Sequence, residues 1–282
     1  MDVRLLGPFE VWEGEDRLPV GSGKQAALLA LLALRRGEAF SNDRLVDALW
    51  DGHPPPTAPK NVQIYVSQLR KALGEGVIET RGGGYAAALE RDQVDTMRFE
   101  ALVERGSVLL ADGDHAAAAG TLSEALALWR GPALADFAYA EFAQSEIARL
   151  EELRLGALED RIDADLALGR HRQVIPELES LVRDQPLRER LREQLMLALY
   201  RSGRQADALD VYHDMRRRFG EELGIERDAR CRGCSSTFSA RTTRSTRRRA
   251  LRSSASRGST GTLSSELAHS CSGRWRRSRS SP

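Results

Sequence analysis

The clearest structural signal in the sequence is a pair of segments separated by prolines. The first segment is Leu45-Val46-Asp47-Ala48-Leu49-Trp50, the break is Pro54-Pro55-Pro56, and the second segment is Val62-Gln63-Ile64-Tyr65-Val66-Ser67-Gln68-Leu69-Arg70-Lys71-Ala72-Leu73-Gly74. Leu45, Ala48 and Leu49 recur at helical spacing, and Ser41 is suited to cap the helix they mark, residues 42–50. In the longer segment, one apolar residue falls on the same side at each turn: Val62, Val66, Leu69 and Leu73. This spacing predicts a second helix over residues 59–73 with one buried stripe. A short helix, a turn and a longer helix indicate a helix-turn-helix.

The flanking segments complete a small α/β unit. Upstream, residues 3–6, 9–12 and 17–20 predict a β-meander, and an Ala- and Leu-rich run over residues 24–34 predicts a first helix. Downstream, residues 77–80 and 85–89 flank Gly82-Gly83-Gly84 and predict a hairpin. The order of strands, three helices and hairpin is that of a winged helix-turn-helix, which we assign to residues 1–93.

Residues 94–226 show a different, helical pattern. The turns Gly169-Arg170 and Gly203-Arg204 lie 34 residues apart, which is the period of the tetratricopeptide helix pair, and Asp112-Gly113-Asp114 resembles an earlier copy. A long helix over residues 143–168 carries two apolar sets, as a helix packed between neighbours requires. We therefore expect a mainly α protein, with an all-α tetratricopeptide-like domain after the winged helix.

The outward side of the third helix is the candidate functional surface. It carries basic and amide side chains and almost no acid: Lys60, Asn61, Gln63, Ile64, Ser67, Gln68, Arg70 and Lys71. Arg and Lys recognise guanine edges and phosphates, and Asn and Gln recognise adenine, so this face suits the major groove of DNA. Arg81, at the glycine turn of the hairpin, would lie along a flanking minor groove. The alternative is an ordinary solvated helix face.

These residues resemble a known family. The meander, three helices and a hairpin ending in Gly84-Tyr85 resemble the winged helix of OmpR/PhoB-type regulators. The two quoted helices resemble, more narrowly, the SARP (antibiotic regulatory protein) family of bacterial transcriptional activators. Further segments resemble the bacterial transcriptional activation domain (BTAD) that follows the winged helix in that family; they include residues 124–132, 199–209 and 222–226. The resemblance covers residues 1 to about 226.

The resemblance implies a function and a site. It implies binding to direct repeats in double-stranded DNA near a promoter, by a dimer or by paired monomers, recruitment of RNA polymerase, and activation of secondary-metabolite gene clusters. Carried onto this sequence, it implies base-reading positions at Lys60, Asn61, Gln63, Ile64 and Ser67, and phosphate contacts at Arg70, Lys71 and Arg81. Ala26 stands where the family often has arginine, which implies one phosphate contact fewer and a shallower salt dependence.

The near-neutral net charge of +1 conceals two unlike parts. Residues 227–282 contain 14 Arg and two acids, whereas residues 1–226 contain 28 bases and 39 acids. The tail is rich in Arg and Ser, and we predict no packed fold for it. Because Arg outnumbers Lys 39 to 3, out-of-frame reading of GC-rich DNA is one hypothesis for it, and a basic arm with nonspecific DNA affinity is the other. Reading the gene in the other frames after Glu226 tests the first.

Other functional classes find little support in the sequence. Gly21-Ser22-Gly23-Lys24 lacks the first glycine and the Ser/Thr of a phosphate loop, and Cys231-x-x-Cys234 is half of a zinc spacing. The histidines have no catalytic partner in a recognisable motif, so we expect no enzyme, no cofactor and no metal. The longest apolar run has nine residues, which predicts no membrane span. Residues 1–226 contain no cysteine and therefore no disulfide framework, which favours a reducing cytoplasm. A phosphorelay link is implied by the family only. A helical-repeat scaffold whose winged helix binds protein stays the alternative function.

Overall fold

A computed structural model describes residues 1–223, with side chains to residue 217. The predicted tail of residues 227–282, with Cys231 and Cys234, lies outside this range. Most of the described chain is helical, and two small antiparallel sheets lie in its amino-terminal part. The predicted fold, a winged helix followed by a helical domain, is confirmed.

The winged helix contains two sheets and three helices. Its first sheet, β1-β2-β3, consists of Asp2–Arg4, Glu10–Glu13 and Asp16–Arg17. The helices are α1 (Lys24–Leu34), α2 (Asn42–Trp50) and α3 (Ala58–Leu73). The second sheet, in the order β4-β6-β5, consists of β4 (Phe40–Ser41), β5 (Ile78–Arg81) and β6 (Gly84–Ala87). The short strand β4 was not predicted.

Local chemistry fixes the bounds of α2. The side chain of Ser41 accepts a hydrogen bond from the Arg44 N–H at 3.3 Å, the predicted N-cap. At the other end Asp51 adopts a left-handed conformation with φ 50°, which stops the helix. The prolines that follow lead into α3, with Pro59 in its first turn.

The helical domain is a series of antiparallel helix pairs. It comprises α4 (Asp95–Ala111), α5 (His115–Ala127), α6 (Glu141–Ala167), α7 (His171–Asp184), α8 (Glu189–Arg201) and α9 (Gln205–Leu223). The turns predicted as equivalent contain Gly113, Gly169 and Gly203, and all three glycines have φ between 79° and 86°. This shared left-handed conformation supports the assignment of Gly113 to an earlier copy of the repeat.

Helix α6 contributes buried residues to four hydrophobic clusters along its length. Leu150 and Ala157 pack with Phe99 of α4 and with Trp129, which follows α5. Ile162 and Leu166 pack instead against α7 and α8. Both predicted apolar sets therefore contribute buried residues, and α6 joins the early and late parts of the helical domain.

The two domains share their hydrophobic cores. Leu6, just after β1, is fully buried in the cluster of Phe99 and Trp129. In return, Leu134 and Phe137, from the segment between α5 and α6, are buried in the winged-helix core, where the Phe137 ring lies 5.5 Å from that of Phe9. The winged helix and the helical domain are thus held together by interlocked side chains.

Candidate nucleic-acid interface

The inner side of α3 anchors the helix in the winged-helix core. Val62 and Leu69 are fully buried and Val66 is nearly so, as the apolar spacing predicted. Leu73, the last member of the stripe, is only partly buried against the same core. Helices α1 and α2 pack on this side, so the opposite side of α3 faces outward.

The outer side of α3 presents five of the predicted site residues together. Lys60, Gln63, Ile64, Ser67 and Lys71 are all exposed, and at 3.6 residues per turn they fall within roughly 100° of the helix circumference. Within residues 1–217, no hydrogen bond or ion pair engages their side chains. Ile64 is 41% exposed in the middle of this polar face. We call these five residues the α3 face.

Asn61 lies at the edge of the α3 face. Its side chain is partly buried, and its Nδ2 lies 3.4 Å from the hydroxyl of Thr57, the residue before α3. This weak contact holds the amide beside the first turn of the helix. Gln68, which sequence reasoning placed on the outer side but did not select, is exposed four residues after Ile64. The i, i+4 spacing was the signal that assigns Gln68 to the same surface.

Arg70 occupies a different environment from its neighbour Lys71. Its Nε donates to the Ile78 carbonyl at 2.8 Å, and its Nη2 donates to the Thr80 hydroxyl at 3.0 Å. Its guanidinium also lies 5.9 Å from the centre of the Tyr85 ring. The guanidinium therefore joins α3 to the hairpin.

The hairpin β5–β6 forms the predicted wing. Gly82 and Gly83 have φ of 56° and 79°, which suits a two-residue turn with both central residues left-handed. Gly84 is required for another reason, because a Cβ there would lie 2.0 Å from the Phe40 carbonyl oxygen of β4. Arg81, near the tip, is exposed and its Nε donates to Glu79 at 2.7 Å. The wing is thus fixed on β4 and presents a cation near its turn.

The phosphate-loop alternative at Lys24 has no structural support. The Lys24 ammonium donates to the Leu49 carbonyl at the end of α2 and lies 5.9 Å from the Trp50 ring centre. It therefore fixes α1 to α2. In the described part of the chain, no group of three His, Cys, Asp or Glu side chains is placed to hold a metal ion. No helix in that part is long and apolar enough to cross a membrane.

Two domain families match the two parts of the fold. Residues 19–87 match the family described as transcriptional regulatory protein, C terminal. Residues 94–237 match the bacterial transcriptional activator domain. Winged helix, exposed α3 face and helical domain together define a bacterial transcriptional regulator.

Comparison with known proteins identifies a family within this class of regulators. The chain is 36% identical to the regulatory protein DnrI of Streptomyces peucetius, over 82% of this chain and 89% of DnrI. It is 43% identical to the regulatory protein AfsR of Streptomyces griseus, over 79% of this chain but only 23% of AfsR, so it spans about a quarter of that relative. The solved structure of Mycobacterium tuberculosis EmbR in complex with a low affinity phosphopeptide superposes with a TM-score of 0.79 at 34% identity, over 85% of this chain and 65% of that one. The chain belongs to the SARP family of transcriptional regulators.

Proposed function

We propose that this protein is a sequence-specific DNA-binding transcriptional activator. The observation that carries the proposal is the α3 face, a set of exposed basic, polar and apolar side chains that the protein itself leaves unengaged among residues 1–217. A helix with such a face, held rigidly by a buried stripe, is suited to enter the major groove. The proposal assigns residues 1–93 to DNA binding and residues 94–226 to activation, and it includes no catalytic step.

The site residues divide by the part of DNA that they contact. We propose that Lys60, Asn61, Gln63, Ile64 and Ser67 face base edges, and that Lys71 and Arg81 contact phosphates. For Arg81 the ion pair with exposed Glu79 is weak, since exposed pairs contribute at most about 1 kcal/mol, so phosphate can displace it. Arg70 was expected from the sequence to contact phosphate; because its guanidinium contacts the wing, we propose a positioning role for it instead.

The wider role follows the family. The protein would bind direct repeats at promoters as a dimer or as paired monomers, recruit RNA polymerase, and activate a secondary-metabolite (antibiotic) gene cluster. Membership of the SARP family and the match to a transcriptional activator domain support this role. Such a protein would work in the cytoplasm, associated with the nucleoid.

A salt-dependent gel shift on the upstream region of the protein's own gene tests the proposal. Replacing Lys71 with Ala should weaken binding to all sequences and reduce the slope of log affinity against log salt by about 0.9, the effect of one phosphate contact. Replacing Asn61 or Gln63 with Ala should change which bases are preferred at single positions, at about 1–3 kcal/mol for each lost contact.

A matched control removes one exposed cation from the helical domain, and Arg105→Ala on α4 serves for it. This control should leave both the salt slope and the base preference unchanged. If Lys71→Ala, Asn61→Ala and Gln63→Ala all bind DNA as the unmodified protein does, the α3 face is not a DNA interface. That result would favour the alternative of a helical-repeat scaffold whose winged helix binds protein.

A further inference from the structure

Arg70 and Lys71 are adjacent cations on α3 with unlike surroundings. Lys71 is exposed, and its side chain makes no ion pair or hydrogen bond within residues 1–217. Arg70 is partly buried and uses two of its three nitrogens inside the protein, on the Ile78 carbonyl and the Thr80 hydroxyl. The sequence alone gives both residues the same role, whereas the contacts separate them.

The contacts of Arg70 define the angle between α3 and the wing. Ile78 and Thr80 are alternate residues of β5, and Tyr85 lies opposite Thr80 on β6. A guanidinium is a planar fork, so hydrogen bonds from two of its nitrogens restrict rotation of the strand about the helix. Contact with the Tyr85 ring adds a restraint from the second strand. A lysine ammonium keeps the charge but cannot reproduce this fork.

We propose that Arg70 is a positioning residue, which sets the wing against α3 so that Arg81 reaches phosphate while the α3 face lies in the groove. The proposal rests on the proposed function, because it concerns the geometry of that DNA interface. Arg81 lies one residue beyond Thr80 on the same strand. The hydrogen bonds of Arg70 to the Ile78 carbonyl and the Thr80 hydroxyl therefore restrain the strand that carries Arg81.

Two conservative variants test the role without a loss of charge. Arg70→Lys keeps the cation and removes the fork, and Thr80→Val removes the hydroxyl acceptor while keeping the shape of the side chain. Each is measured in the full chain on the same promoter DNA, over a range of salt concentrations. Each is combined with Arg81→Ala in a double-mutant cycle. Lys71→Ala is the reference for loss of a phosphate contact that does not depend on the position of the wing.

If Arg70 positions the wing, Arg70→Lys should weaken binding about tenfold although the charge is kept, because the displaced wing loses the charge-assisted contact of Arg81 with phosphate. Arg81→Ala should then cost much less in the Arg70→Lys background than in the unmodified protein. Thr80→Val should weaken binding in the unmodified protein and have little effect once Arg70 is Ala. Amide hydrogens within the ladder of β5 and β6 should exchange faster in free Arg70→Lys, a change that does not depend on DNA.

Other outcomes overturn the inference. Wild-type affinity for Arg70→Lys, together with a shallower salt slope for Arg70→Ala, would make Arg70 a simple phosphate contact. Additive effects of Arg70→Lys and Arg81→Ala would show that the wing is not oriented through Arg70. Both outcomes leave the proposed function intact as long as Lys71→Ala weakens DNA binding. The proposed interface itself is refuted only if Lys71→Ala, Asn61→Ala and Gln63→Ala all bind DNA as the unmodified protein does.

Discussion

At the scale of single residues, Asp95 shows how one side chain joins the two domains. It is the first residue of α4, and only 2% of its surface is exposed. Its carboxylate accepts hydrogen bonds from the N–H groups of Leu5 and Leu6 at 2.8–2.9 Å. The Arg130 guanidinium lies 3.8 Å away. A carboxylate of the helical domain thus pairs with backbone of the winged helix that would otherwise be buried without partners.

The pH dependence of stability should report this buried carboxylate. Burial raises the pKa of Asp95, against the opposing effects of the Leu6 and Leu5 N–H groups and of Arg130 and Arg98. Between the ordinary value near 3.9 and the raised pKa, the folded protein holds a proton that the unfolded chain has lost, so stability falls as pH rises through this window. The free energy of unfolding of the unmodified protein minus that of Asp95→Asn should therefore increase as pH falls.

Chemical denaturation at a series of pH values measures this difference. Asn does not titrate, so subtraction of the two curves isolates Asp95 from the other carboxylates. Asp112→Asn, at an exposed carboxylate just after α4, is the control for removal of one charge. A difference between the unmodified protein and Asp95→Asn that stays flat, or that shrinks as pH falls, would contradict a raised pKa at Asp95.

At the scale of elements, α3 combines a buried apolar stripe with the exposed α3 face. Ile64 stands out on that face because it is apolar and 41% exposed. The major groove offers one apolar feature, the thymine C5 methyl group, which a side chain of this kind contacts. We therefore expect that Ile64 recognises a thymine within each repeat. Its neighbours on the helix would then supply polar contacts around that methyl group.

Uracil substitution in the DNA tests this expectation, because uracil differs from thymine only by the missing methyl. Replacing each thymine of the bound site in turn should reveal one position per repeat where uracil weakens binding several-fold, as loss of about 1 kcal/mol implies. Ile64→Ala should bind thymine and uracil at that position equally well. Ser67→Ala, on the same face, should retain the preference for thymine. If Ile64→Ala keeps the full preference for thymine, Ile64 does not contact the methyl group.

The helices and strands were largely predictable from the sequence, whereas the contacts between their side chains were not. The predicted bounds of α1 and α2 agree with the structure, since caps and apolar spacing are local signals. The exposure of the α3 face followed from the same spacing. The contacts of Arg70 did not, because they involve a carbonyl and a hydroxyl that only the folded hairpin brings within reach. Strand β4 was missed because its two residues carry no alternating pattern.

At the scale of the whole molecule, the first strand belongs to both domains. β1 pairs with β2 in the winged helix, and Val3 also forms a parallel bridge with Val94 at the start of the helical domain. Beyond β1, the Leu6 carbonyl accepts from the Arg130 N–H at 2.7 Å and the Leu5 carbonyl from the Leu134 N–H at 2.8 Å. Sequence periodicity gives no sign of such pairing over more than 100 residues. Through these bonds, the α3 face and the helical domain have a fixed relative orientation.

This interlocking predicts that the two domains lose stability together. Leu6→Ala removes a fully buried side chain from the Phe99 and Trp129 cluster and should cost about 2–5 kcal/mol. Native-state hydrogen exchange should then show similar losses of protection for the amides of α3 and of α5, although Leu6 packs only in the Phe99 and Trp129 cluster. Leu45→Ala, in the winged-helix core, should lower the protection of the same two sets of amides against exchange. Loss of protection confined to the helical domain after Leu6→Ala would show instead that the domains unfold independently. In that case β1 would not couple the α3 face to the helical domain.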